Sequence, residues 1–226
     1  MESTQWQLAM TSKNILPSQG TKQCRAALLL IDVINDMEFP GASDLMRYAE
    51  PAARRCARLK RRVKALGIPV IYVNDNFGHW QSDFKKQVSH CLADGVRGEA
   101  IARLLLPEED DFFVLKPKHS GFYSSALDIL LRYLDTEILI LAGFAGNLCV
   151  LYTANDAYMR DFRLFVPRDC TASEQKQAND YALEQMAHCL KADIRIAARI
   201  PLCQLLACRR PAGQRAAARA ISKSDD

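Results

Sequence analysis

The chain lacks the raw material of a membrane span: nowhere in its 226 residues does an apolar run approach the roughly 20 positions that crossing a bilayer requires. Histidine is scarce, at four. The eight cysteines, at 24, 56, 91, 149, 170, 189, 203 and 208, form no C-x-x-C pair and no zinc-ligand spacing with those histidines. Neither a structural zinc site nor a disulfide framework is expected, and free thiols point to a reducing, cytoplasmic setting. No aromatic residue interleaves with the arginine-rich stretches RRCARLKRR (54–62) and CRRPAGQRAAAR (208–219), and the net charge is only +4. No nucleic-acid partner is therefore expected, and the helical spacing of the first stretch reads as a solvated helix face. The opening segment MESTQWQLAMTSKNILPSQGTKQ is polar and irregular, without an apolar signal, and reads as a loose arm over 1–22.

What is present is apolar residue in quantity, 49%, enough to bury one sizeable core. No repeat or Pro/Gly/Ser-rich linker divides the middle, so a single domain over 23–200 is expected, followed by an Arg/Ala-rich tail over 201–226. Apolar, β-branched runs predict strands at 25–33, 68–75, 111–117, 137–144, 162–169 and 193–197. Helical periodicity predicts helices at 43–67 with Ser43 as cap, 98–107, 124–135, 147–161, and 173–192 with Ser173 as cap. Residues 76–97 read as a looser segment. Alternation at this spacing argues for an α/β fold, a parallel sheet with helices on both faces.

Ligands of open parallel sheets bind beyond the carboxyl ends of the strands. Asp32 falls at the end of the first strand, Lys116 at the end of the third and Cys149 just past the fourth, at the mouth of a helix. A helix N-terminus and a nearby ammonium favour a thiolate, and a carboxylate can take the thiol proton. Each residue has a plainer reading: a turn cap for Asp32, a surface lysine for Lys116, gap-filling for Cys149. Pro117 keeps the chain extended, so Lys118 points to the same side as Lys116 and competes with it.

The stretches LLLIDVINDM, VLKPKHSGFYSSALDILL and LILAGFAGNLCVLYTANDAYMRD, followed by VPRDCTAS, carry a resemblance to the isochorismatase-like cysteine hydrolases over roughly residues 25 to 197. The resemblance implies a Rossmann-like three-layer α-β-α sandwich with a six-stranded parallel sheet, assembled as a homo-oligomer, a dimer or tetramer. It implies Cys149 as nucleophile, Asp32 as general base and Lys116 as electrostatic partner, the lysine four residues before Ser120 being the one the family uses. It further implies a cis peptide between Phe144 and Ala145, with an oxyanion hole formed by the N–H groups of Ala145 and Cys149.

The retained cysteine leans toward C–N hydrolysis of a small amide, carbamoyl or ureido compound, and KPKHSGF with GNLCV is most similar to the ureidoacrylate and N-carbamoyl amidohydrolase branch. In the expected mechanism Asp32 deprotonates Cys149, protonates the departing nitrogen and then activates water against the thioester. No cofactor is implied. No metal is expected either, since Asn76 stands where the Asp-x-His site of related nicotinamidases wants histidine, and Asp75 and His79 are spaced otherwise. Phe39, Trp80 and Phe122 are candidates for an aromatic wall around a small-molecule substrate, and Asn74, Asn76 and Ser120 for polar contacts to it. The alternatives are a vinyl-ether hydrolase, a nicotinamidase-type amidase, and a catalytically silent binding or assembly module.

Overall fold

The computed structural model describes residues 26–75, 83–92 and 95–207. The greasiest run of the sequence becomes the centre of the sheet. Strand β1 (Ala26–Ile31) is wholly buried, and β4 (Ile138–Phe144) pairs with it in parallel from Ala26↔Ile138 to Ile31↔Gly143. Strand β2 (Val70–Asp75) flanks β1 on the other side, and β3 (Phe112–Lys116) lies beyond β2. Beyond β4 comes β5 (Arg163–Phe165), giving the order β3-β2-β1-β4-β5, with the two-residue β6 (Thr171–Ala172) also on β4. Every pairing is parallel. The strand order reverses between β1 and β4, which makes the crevice past their carboxyl ends the natural place for a ligand.

Alternate side chains feed two cores. Ala26, Leu28, Leu30, Val70 and Tyr72 pack with α1 (Ala42–Lys64), α2 (Phe84–Cys91) and α3 (Glu99–Leu104). Ala27, Leu29, Ile31, Ile71 and Val73 pack with α4 (Leu127–Tyr133), α5 (Leu151–Tyr158) and α6 (Lys176–Cys189). The result is the expected six-stranded, three-layer α/β sandwich.

Several local expectations are corrected. The sixth strand is β6 and not 193–197: only Asp193 bridges to Phe165, and its carboxylate then takes the N–H and guanidinium of Arg195, turning the chain away from the sheet. β5 is short because Pro167 follows with no N–H to offer. α1 starts from Gly41, whose φ of 88° suits glycine, so Ser43 lies inside the helix and caps nothing. α6 starts after Gln175, which frees Ser173 for another task. The segment read as loose holds α2, capped by Asp83 accepting from the Lys86 N–H at 2.7 Å. The tail expected over 201–226 opens with a further helix, α7 (Leu202–Ala207), which buries Leu202 and Leu205 against the α1-side core. The loose arm over 1–22 and the tail beyond 207 lie outside the described residues.

Candidate active site

β1 ends because Asp32 adopts a left-handed backbone (φ 52°), a conformation aspartate tolerates better than most residues. Its N–H still donates to Val73 O at 2.9 Å, so the residue stays hooked to β2 while its side chain swings over the sheet end. The carboxylate is held on both oxygens. Oδ1 accepts from the Asp75 N–H at 2.7 Å, and Oδ2 lies 2.9 Å from Lys116 Nζ.

Lys116 ends β3, two strands from β1 and so roughly 10 Å away at ordinary strand spacing. Only a long side chain spans that gap, and this one does so fully buried. Its ammonium lies 2.9 Å from Asp32, 3.4 Å from Asp75 Oδ2 and 3.4 Å from Cys149 Sγ.

Cys149 follows β4 in a π-helical turn, Gly146–Val150, that leads into α5. The Phe144–Ala145 peptide is cis. The Ala145 carbonyl accepts from the N–H groups of Leu148 and Val150 at 3.2 and 3.1 Å. The Asn147 N–H donates to Ser173 Oγ at 3.1 Å, and that hydroxyl donates to Asn179 Oδ1 at 3.3 Å, so α6 clamps the turn. Gly146 permits this approach, since a Cβ there would lie 2.0 Å from Asn179 Oδ1.

Burial dominates the electrostatics. It pushes the Asp32 carboxyl up against the opposing pull of Lys116. It acts to lower Lys116, but the charges of Asp32, Cys149 and Asp75 outweigh it and hold the ammonium above its ordinary range. Burial, reinforced by Asp32, also drives the Cys149 thiol up against the pull of Lys116. Burial and the Asp32 charge thus oppose the thiolate that the helix mouth and Lys116 favour, and they leave beside the half-buried sulfur a carboxylate whose own proton affinity is raised.

The remaining sequence candidates scatter. Ser120 is buried beneath the site and donates to Asp156 on α5. Beside it, the Gly121 N–H donates to Thr153 Oγ1 at 2.9 Å, and that hydroxyl donates to the Cys149 carbonyl at 2.6 Å. Phe122 is a core residue instead of a rim residue, its ring packed beside Phe162 and beneath the Arg160 guanidinium. Phe39 packs against the α1-side core. Asn74 faces the same way, opposite to Asp75, and its amide donates to Ile34 O at 2.8 Å; it braces the loop after β1 and does not face the thiol. Asn76, His79 and Trp80 lie outside the described residues.

Two residues beside the Asp32, Lys116 and Cys149 group were not expected there from the sequence, where Asp75 was weighed only as a metal ligand. Asp75 is a second carboxylate on Lys116, legible in retrospect because strand alternation puts it on the face of Ile71 and Val73. His119, on the loop after β3, places Nδ1 3.8 Å from Cys149 Sγ. Among the described residues no group of three or more His, Cys, Asp or Glu side chains gathers as a metal site.

Comparison with known proteins agrees with this architecture. The model of the Isochorismatase domain matches residues 26–197. An uncharacterised isochorismatase family protein, YaaI of Bacillus subtilis, is 40% identical over 168 residues, covering 74% of this chain and 92% of that protein. The ureidoacrylate amidohydrolase RutB of Methylobacterium radiotolerans is 29% identical over 169 residues, covering 64% of this chain and 66% of that enzyme. The crystal structure of N-carbamoylsarcosine amidase from Thermoplasma acidophilum superposes with a TM-score of 0.58 at 23% identity, over 78% of this chain and 99% of that one, a likeness of fold. By the extent of the domain match and by YaaI, the chain belongs to the isochorismatase-like hydrolase family.

Proposed function

We propose that this protein hydrolyses a C–N bond in a small amide, carbamoyl or ureido compound through a thioester on Cys149. One observation carries the reading: a half-buried thiol lies 3.4 Å from a buried ammonium that itself lies 2.9 Å from a buried carboxylate. An isolated thiol in this setting is inert. With Asp32 to receive its proton and Lys116 to hold the resulting charge, it becomes a nucleophile at the moment of attack. The new Sγ–C bond puts negative charge on the carbonyl oxygen, for which the N–H groups of Ala145 and Cys149 are the proposed receptors. Collapse releases ammonia or an amine, and water then cleaves the thioester. Every step uses this chain's own side chains and water.

The kinship with ureidoacrylate amidohydrolases supports carbamoyl and ureido substrates in particular. The six free cysteines among the described residues support a reducing, cytoplasmic setting. Exposed Ile129 and Tyr133 on α4 and Met159 after α5 support a homo-oligomer, to be read by light scattering.

The test is ammonia release from a panel of small amides, carbamoyl amino acids and ureido acids, with intact-mass detection of the thioester. Cys149→Ala is expected to abolish turnover while leaving the circular dichroism spectrum unchanged. Substantial turnover by clean Cys149→Ala protein refutes the mechanism.

A further inference from the structure

The thiol has polar neighbours of two kinds. Asp32 and Lys116 reach it from the buried end of the sheet. His119 reaches it from an exposed loop, with Nδ1 3.8 Å from Sγ. That loop is held in place. Ser120 is tied to Asp156, the Gly121 N–H to Thr153, and the Thr153 hydroxyl to the carbonyl of Cys149 itself. The imidazole also lies against the Tyr152 ring, with centroids 5.6 Å apart. The loop carrying His119 and the helix carrying the nucleophile are therefore one braced unit.

We propose that His119 is a second catalytic proton carrier, serving the departing nitrogen and then the incoming water; this rests on the thioester reading above. The reason lies in Asp32. Both of its oxygens are engaged, by the Asp75 N–H and by Lys116, and it is buried where His119 is exposed. Once it has accepted the thiol proton it is poised to return that proton to sulfur, and it is poorly placed to meet water arriving from solvent.

The protons balance with two carriers. In acylation the Sγ–C bond forms as the thiol proton passes to Asp32, and the C–N bond breaks as protonated His119 gives its proton to the nitrogen. In deacylation neutral His119 takes a proton from water as the O–C bond forms. The C–S bond then breaks, Asp32 returns its proton to the thiolate, and both residues regain their starting states. By microscopic reversibility the group that protonates the leaving nitrogen is also the one that deprotonates the water occupying its place.

p-Nitrophenyl acetate separates the two half-reactions, because nitrophenolate leaves without a proton and exposed His119 releases its own to solvent before it takes one from the attacking water. In the full-length wild type an initial burst is expected, with acetyl on Cys149 by peptide mass mapping, followed by slower turnover. In His119→Ala and His119→Gln the burst should persist while deacylation slows by about 100-fold or more, the lower range for a general base. Free imidazole added to isolated acetyl-enzyme should restore deacylation in His119→Ala, which a merely structural role for the ring does not predict. Unchanged deacylation in both variants overturns the assignment of His119 and leaves the thioester reading standing. Absence of acetyl on Cys149 in the wild type overturns the thioester reading, and this inference with it.

Discussion

Replacing Lys116 by methionine keeps the length of the side chain and deletes its charge, which isolates the electrostatic role of the ammonium. At an effective dielectric of about 20, unit charges 2.9 Å apart, the separation from Asp32, attract by about 6 kcal/mol. Desolvation of both groups offsets much of that. What the variant measures is the burial of an unpaired carboxylate, for which breaking such pairs costs about 3–5 kcal/mol. The cost has a ceiling, because Asp32 can protonate instead. Burial already holds the Asp32 carboxyl above its ordinary range, and loss of the ammonium pushes it further in the same direction. The folded state then binds the proton more tightly than the unfolded state does. Stability is therefore intact below the unfolded carboxylate range, near pH 4, and is lost as pH rises through the folded value. Thermal and urea unfolding of wild type and Lys116→Met at pH 5 and pH 9 should show a deficit that deepens toward pH 9. There it should reach about 3–5 kcal/mol, or roughly 6–20 °C in Tm for a domain of this size. A deficit that is equal at both pH values, larger in acid, or absent refutes the reasoning.

Alkylation of Cys149 by iodoacetamide, followed cysteine by cysteine by mass spectrometry, should rise only at alkaline pH. Asp32→Asn removes a charge that holds the thiol up and should move the profile to lower pH even as turnover is lost, while Lys116→Met should move it to higher pH; shifts of opposite sign sink the charge assignment. Thr153→Val leaves the buried Gly121 N–H without its acceptor, an expected loss of about 1–3 kcal/mol, and a Tm within about 1 °C of wild type counts against that bond. Gly143→Ala adds a Cβ 2.0 Å from the Ile31 carbonyl at a φ of 127°, so the β1–β4 pairing has no room for it. That variant should lose more than about 4 kcal/mol or fail to fold, and soluble protein with an unchanged melting curve contradicts the close approach.

Much of the fold was legible because parallel strands covered on both faces must be written as continuous apolar runs. LLLI and ILILAGF announce β1 and β4 without help from any distant residue. β6 was not legible, since two residues carry no period, and it exists only because the chain after Cys170 lies against the end of β4. Ser173 shows the same limit. Its position before a helical pattern suggested a cap, yet its hydroxyl serves the turn that presents Cys149.

For the site, the sequence by itself determined which functional groups are available and that Asp32, Lys116 and Cys149 come at strand ends, because element order and strand-end position are local properties. Tertiary structure alone decided that Lys116 reaches across β2 to lie between two carboxylates, that Asn74 and Phe39 turn to the opposite face, and that His119 stands beside the sulfur. It also decided that burial and Asp32 push the Cys149 thiol up while Lys116 pulls it down. A protonation state is set by how much water is removed and by which charges stand within a few ångströms, and both quantities come into existence only when distant segments pack together.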